Sequence, residues 1–288
     1  MKLDNQQPST VDWIAGFFDG DGSICYTGSS DNGGRISCSF TNTHDATILT
    51  LFNFFKDLGI EGNIVIDERF KNHKPCYSLR FTNRETVLKF LNFILPNLRR
   101  RQQQANLARC FLYSRIQNNS FRLTDEELEL IKEIKKLNNC EGSETIDLPL
   151  SVNWLAGYID ANGCFSFATY KRNGSKLSIT PVSVLTVPSK PTAEYCTQIF
   201  KSLDIPVWFE TLDKRSEGKK IIYRLNTKGL ERIIKMKVFS NSLFIKNNAL
   251  NLLLDFSTSR LSKSRQDSFS SEELSLVQQL KQINKTGR

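Results

Sequence analysis

Two carboxylates, Asp19 and Asp21, stand two residues apart among glycines in the segment VDWIAGFFDGDGSI at positions 11–24. A second segment, VNWLAGYIDANGCF at 152–165, carries Asp160 and, at the place matching Asp21, Asn162. On a helix, positions two apart lie roughly 200° around the axis, so Asp19 and Asp21 point in different directions and have different roles. For Asp19 and Asp160 the expected role is helix capping or a structural polar contact. A carboxylate at a helix end suits Mg²⁺, which takes hard oxygen ligands and only one or two carboxylates beside phosphate and water. Phosphodiester hydrolysis is the matching chemistry: it needs a nucleophilic water, charge neutralisation on the phosphate and help for the leaving oxygen, all of which paired Mg²⁺ ions supply. The amide of Asn162 offers an oxygen, but not the negative charge that binds Mg²⁺ and helps lower the pKa of its bound water.

The elements that position these residues follow from an internal repeat. Beyond the two segments above, FFKDLGI resembles IFKSLDI, CYSLRFTNRETVLKFLNFI resembles IIYRLNTKGLERIIKMKVF, and RLTDEELELIKEIKKLN resembles FSSEELSLVQQLKQIN, all in the same order. Two copies of this length suit tandem lobes and not a solenoid, whose units run from about 20 to 50 residues. The expected division is a lobe over 1–140, a connector over 141–150 rich in polar residues, Gly and Pro, and a lobe over 151–288. Each lobe closes on a capping box, Thr124 with Glu127 and Ser270 with Glu273.

In each lobe the first segment is helical. Trp13, Gly16, Phe17 and Gly20 fall on one face of the first copy, and Trp154, Gly157, Tyr158 and Ala161 on that of the second. Small residues four apart let helix backbones approach closely, which favours the two motif helices meeting; packing against a sheet is the other reading. Extended segments follow. RISCSFTNT alternates, with Arg35, Ser37, Ser39, Thr41 and Thr43 on one face and Ile36, Cys38 and Phe40 on the other. The same polar face takes Cys25, Thr27 and Ser29, then Val65, Asp67 and Arg69, then Lys74, Cys76, Ser78 and Arg80. Its second-lobe equivalents are Ser166, Ala168, Tyr170 and Arg172, then Lys176, Ser178 and Thr180, then Lys214, then Lys220, Arg224 and Asn226. Helices are expected at about 45–58, 84–95, 99–119 and 124–138, giving an α+β lobe of order α-β-β-α-β-β-α with further helices.

The 288 residues include 39 Lys and Arg against 30 Asp and Glu, a net charge of +9 that favours a polyanionic partner. Seven scattered cysteines without a CxxC pair indicate reduced thiols and neither a disulfide framework nor a zinc knuckle. No apolar run approaches membrane-spanning length and MKLDNQQPST lacks the apolar core of a signal peptide, so a soluble protein inside a cell or organelle is expected.

IAGFFDGDG and LAGYIDANG resemble the LAGLIDADG motif after which a family of homing endonucleases is named, and the similarity of motifs, spacing and flanking pattern covers nearly the whole chain. The resemblance implies a pseudo-twofold pair of lobes whose antiparallel sheets form a saddle on the DNA major groove, a monomer, and divalent metal at the helix ends. It implies Asp21 and Asn162 as the metal positions, with the Gly20 and Ala161 carbonyls as additional ligands; Mg²⁺ is the expected ion, and Ca²⁺ or Mn²⁺ its substitute in a crystal. By the same resemblance His44 orients the water network, and Arg101, in LPNLRRRQQQANL, takes the place of a catalytic Lys or Arg. Their counterparts are Ser189, which is also a candidate for DNA contact on the second sheet face, and Lys246. An arginine steadies phosphate charge but is a poor proton donor. The polar strand faces become the groove reader, since Arg, Lys, Ser, Thr and Asn carry the donors and acceptors that base edges require. Basic segments around 69–74, 171–176, 214–220 and 258–265 are candidates for phosphate contacts. Asn162 leaves three explanations open: a natural asymmetric or nicking enzyme, a lobe degenerated towards binding alone, or an engineered Asp-to-Asn change. The alternative function is a non-catalytic relative such as an intron-RNA maturase. The expected location is a mitochondrion or chloroplast, with the bacterial cytoplasm as the other candidate.

Overall fold

The structure is a computed structural model that describes residues 8–28, 34–67, 75–118, 122–139, 148–171, 177–213, 221–264 and 268–286. It divides into two compact units, Met1–Leu148 and Pro149–Arg288.

In the first unit, α1 (Pro8–Asp21) leads directly into β1 (Gly22–Thr27) and β2 (Arg35–Asn42). Next come α2 (Asp45–Asp57), β3 (Asn63–Asp67), β4 (Cys76–Phe81) and α3 (Arg84–Ile94), then a 3₁₀ turn at Leu95–Asn97, α4 (Gln102–Asn118) and α5 (Asp125–Asn139). The four strands form one antiparallel sheet in the order β1-β2-β4-β3. One face packs on an aromatic cluster centred on Phe40, whose ring lies 5.0 Å from Phe18, 5.7 Å from Phe90 and 5.8 Å from Phe55. Phe17 also stacks on Phe40 and on Trp13, so the large members of that helix face pack inside their own unit.

The second unit repeats the order: α6 (Val152–Asn162), β5 (Gly163–Lys171), β6 (Leu177–Val187), α7 (Lys190–Ser202), β7 (Trp208–Leu212), β8 (Ile222–Lys228), α8 (Leu230–Lys235), a 3₁₀ turn at Met236–Phe239, α9 (Asn247–Leu261) and α10 (Ser271–Thr286). Its sheet is ordered β5-β6-β8-β7. Trp154 stacks on Tyr158 as Trp13 does on Phe17. The alternating pattern of the sequence therefore sorted core from open face in both sheets, as in β6, whose buried Leu185 and Val187 alternate with half-covered Val184 and Thr186.

Each motif ends in a glycine at the helix-to-strand junction. A Cβ on Gly22 would lie 2.4 Å from the Phe18 carbonyl oxygen, and one on Gly163 2.6 Å from that of Ile159, so neither turn admits a side chain without moving backbone. The 99–119 segment departs from its expected helix at the start. α4 begins only at Gln102, because the backbone N–H groups of Arg99, Arg100 and Arg101 are turned onto the carboxylate of Asp19.

Both capping boxes form. Glu127 accepts from the Thr124 N–H at 3.0 Å while its own N–H donates to the Thr124 hydroxyl, and Ser270 and Glu273 repeat the exchange. Each glutamate is fully buried and also accepts from Ser114 and Arg115, or from Ser259 and Lys263. Burial pushes both carboxyls up, but these hydrogen bonds and cations outweigh it and hold both below the ordinary glutamate value. A lowered folded-state pKa means that the stabilisation is complete above the unfolded value near 4.5 and is lost as pH falls through the folded value. The melting temperature is accordingly expected to drop below about pH 4.5, and to drop less steeply in Glu127→Gln/Glu273→Gln. Equal slopes in the two proteins would reject this assignment.

Candidate functional site

The C-terminal end of α1 and the end of β2 build the first centre. Asp21, the last residue of α1, is half-buried, and its Oδ2 accepts from the Asn42 side-chain amide at 2.6 Å. The Asn42 Oδ1 in turn accepts from the His44 backbone N–H at 2.9 Å. His44 precedes α2, and its Nδ1 lies 2.8 Å from the Thr47 hydroxyl. Asp21, Asn42 and His44 are thus joined, and of the three the sequence reading had missed Asn42. A signal was present: 42 shares the core parity of Ile36, Cys38 and Phe40, so an amide there sits at an apolar position, just where β2 runs past the end of α1.

The opposite side of the α1 end is structural. Asp19 is fully buried and accepts from the backbone N–H groups of Arg99, Arg100 and Arg101 at 2.7, 3.1 and 2.9 Å. Arg100 also donates a guanidinium N–H to the Asp19 carbonyl at 2.9 Å. The two carboxylates therefore divide their work as the helical spacing requires. The Arg101 side chain donates to Gln104 Oε1 at 3.3 Å, and Gln104 donates to the Ile24 carbonyl.

The second centre has the same backbone and different side chains. Asp160 accepts from the N–H groups of Phe244 and Lys246 at 2.6 and 2.8 Å. Lys246 therefore occupies the place of Arg101. Burial pushes the Asp160 carboxyl above the ordinary value, against the pull of the Phe244, Lys246 and Ile245 amides and the Lys246 charge. The Lys246 ammonium lies at the end of α6, 2.9 Å from the Ile159 carbonyl, 2.5 Å from that of Asp160 and 3.3 Å from that of Ala161. It neutralises the carbonyl end of the helix dipole, and it occupies the Ala161 oxygen that was expected to face a metal.

Register fixes the other equivalences. Gly22 pairs with Phe40 and Gly163 with Leu185, so Asn42 corresponds to Val187 and His44 to Ser189. The hydroxyls of Ser189 and Thr192 lie 2.6 Å apart, the analogue of the contact between His44 and Thr47. Ser189 is only 3% exposed in front of α7, so it does not lie on the open sheet face where it was expected to touch DNA. Val187 is fully buried and has no polar group to hold Asn162.

The open face of the first sheet carries Cys25, Thr27, Arg35, Ser37, Ser39, Thr41, Asp67 and Arg80, with Thr43 exposed just beyond β2. Ser23 and Asn63 belong to it too. Ser78 is on this face, but it is nearly buried against the Thr41 hydroxyl at 2.9 Å. The second face carries Ser166, Ala168, Tyr170, Ser178, Thr180, Arg224 and Asn226, and also Lys228, whose ammonium lies 5.1 Å from the Tyr170 ring centre. Ser29, Arg69, Lys74, Arg172, Lys176, Lys214 and Lys220 lie outside the described residues.

Two family models match in tandem, a LAGLIDADG-like domain at residues 10–94 and a LAGLIDADG endonuclease domain at 155–256. The chain is a two-motif member of the LAGLIDADG family. No curated protein matches at the level of sequence. Among solved structures, I-SmaMI bound to an uncleaveable DNA with a TTGT central four is 18% identical over 100% of this chain and 99% of its own, with a TM-score of 0.72. I-SmaMI bound to uncleaved DNA target in the presence of calcium ions is 17% identical over 95% and 98%, at 0.71. The meganuclease I-AabMI bound to uncleaved DNA is 17% identical over 94% and 98%, at 0.67. At such identity the likeness speaks for the fold, which is the LAGLIDADG fold along the chain. No described helix of this family member is long and apolar enough to cross a membrane, and all six described cysteines are free thiols.

Proposed function

We propose that the chain is a site-specific endonuclease on duplex DNA that depends on a divalent metal, with a first centre that cuts its strand much faster than the second cuts the other. The carrying observation is the contrast between Asp21, held by Asn42, and Asn162, at whose centre the register counterpart of Asn42 is the apolar Val187 and the Lys246 ammonium lies on the carbonyls of the same helix end. The first donor set suits Mg²⁺: a half-buried carboxylate with the adjacent Gly20 carbonyl is hard and sparse, and no cluster of three acidic, His or Cys side chains exists among the described residues. The rest of such a shell is phosphate and water, so DNA itself completes it. A divalent ion held there would lower the pKa of its water and neutralise phosphate charge.

The chain's own residues do the positioning. Asn42 fixes one carboxylate oxygen of Asp21 through a hydrogen bond to an ionised acceptor, which sets where the remaining lone pairs point. Arg101, steadied by Gln104, offers permanent positive charge to phosphate but no transferable proton. At the second centre the amide supplies no charge, and the Lys246 ammonium at the helix end disfavours a second cation. Related structures lend support: I-SmaMI has been solved on uncleaved DNA with calcium ions and also bound to cleaved DNA.

Asn162→Asp tests the asymmetry. On supercoiled plasmid carrying a target selected from a randomised duplex pool, the protein is expected to give open circles. The variant is expected to convert open circles to linear product about tenfold faster, the rate equivalent of ~1.4 kcal/mol, yet still below the first-strand rate because Val187 and Lys246 remain. Linear product forming equally fast in both proteins would defeat the proposal. The amide at 162 also supports a binding-only reading, in which the chain assists folding of intron RNA; that reading requires intact plasmid and RNA binding indifferent to Asp21.

A further inference from the structure

We infer that the second lobe recognises its half of the target through thymine C5-methyl groups, whereas the first lobe reads through polar groups; the inference rests on the proposed action on duplex DNA. Equivalent rows of the two open faces carry different chemistry. In the first sheet the row is Ser23, Ser39, Arg80 and Asn63, with the two serine hydroxyls 2.9 Å apart. In the second it is Cys164, Val184, Asn226 and Trp208. The next row has Val182 where the first sheet has Ser37 and Ser166 where it has Cys25, while the row on the other side has Glu210 where the first sheet has Val65, so the apolar difference is concentrated at Val182, Val184 and Trp208. Trp208 is 72% exposed, the highest value among the described large hydrophobics, and stands where the first sheet has Asn63. Folding does not account for these side chains, because the core of this unit lies on the other face of the sheet, under Phe165, Leu185 and Leu225.

The surface commits to an anionic partner with methyl groups. Asn226 lies between Arg224 and Lys228 on the same face of β8, and its amide donates to Glu210, the register partner of Arg224 on β7, at 3.3 Å, which leaves its second amide hydrogen and its oxygen to face a base edge. In the major groove an A·T pair presents adenine N6 and N7, which suit an Asn amide, beside the thymine methyl, which suits Val. A G·C pair instead presents the cytosine amino donor, and valine leaves it unsatisfied.

The experiment uses the full chain and its selected duplex, in Ca²⁺ at fixed salt, with deoxyuridine replacing thymidine in one half-site at a time. Binding is expected to weaken by about fourfold for each contacted methyl removed, the worth of one buried methyl-sized group. The loss is expected in one half-site only. Val182→Ser/Val184→Ser, which installs the first-lobe residues, is expected to abolish that deoxyuridine effect at an unchanged melting temperature. Retention by the variant, or equal sensitivity of both half-sites, overturns the inference while leaving the endonuclease reading intact. Failure to select any duplex overturns both.

Discussion

Asp21→Asn is expected to reduce cleavage of the first strand by about a thousandfold, while Ca²⁺-dependent binding of the selected duplex changes by less than about tenfold. The estimate takes ~4 kcal/mol of the several that a bound metal contributes to a phosphoryl transition state, at a factor of ten for each 1.36 kcal/mol. The fold should tolerate the change, because Asp21 is half-buried and its Oδ2 already faces an amide, which pairs with an amide oxygen as well as with a carboxylate. Asn42→Val, which installs the second-lobe residue, keeps the carboxylate and removes its orienting donor. A smaller loss is expected, about ten- to a hundredfold, reflecting the roughly 1.5–3 kcal/mol typical of hydrogen bonds to charged groups. Raising the Mg²⁺ concentration should restore part of the Asn42→Val loss and none of the Asp21→Asn loss. Cleavage by Asp21→Asn at the parental rate would remove this residue from the chemistry altogether.

The division between what the sequence revealed and what it hid has a physical basis. Helices and strand faces were legible because burial imposes periodicity: Arg35 to Asn42 could be sorted into faces by alternation alone, and the sheet register followed it. The different directions of Asp19 and Asp21 followed from helical geometry. For Asn42 alternation marked only a polar residue at a core position; its partner was hidden, because the contact is long-range, crossing from a strand to the end of another element, and no local period names it. The delayed start of α4 was hidden for the same reason, since basic and Gln residues at 99–104 read as continuous helix until Asp19 draws three amides away from it. Ser189 matches His44 in register, but it is buried before α7 and not open to DNA, because β6 ends at Val187 and the chain has already turned to start the helix. Trp208 and Val184 gave no signal of their own, because apolar residues in a strand read as core until the register places them on the open face.

The second large effect separates the two carboxylates of one motif. Asp19→Ala is expected to destabilise the protein by ~3–5 kcal/mol, the usual cost of removing one partner from a buried charged network. Three backbone donors converge on its oxygens and none can turn to another acceptor without unwinding the lead into α4. At roughly 2–4 °C per kcal/mol for chains of this order of size, the melting temperature should fall by about 10 °C. Asp160→Ala removes the acceptor of the Phe244 and Lys246 amides and should behave alike, with one difference. The Lys246 ammonium still holds the Ile159, Asp160 and Ala161 carbonyls in that variant, so the lead into α9 keeps part of its anchorage and the loss should be smaller than that of Asp19. Asp19→Asn retains one acceptor oxygen and should recover part of the stability. Below its melting temperature Asp19→Asn should still cleave, because the Asp19 carboxylate faces the backbone amides of Arg99, Arg100 and Arg101 and acts by holding the lead into α4. Thermal unfolding and plasmid cleavage measured on Asp19→Asn and Asp21→Asn should therefore give opposite patterns, one variant losing stability and the other losing cleavage. If both variants lost cleavage at full stability, the motif would hold two catalytic carboxylates, and the helical geometry that separates them would be the wrong description of this site.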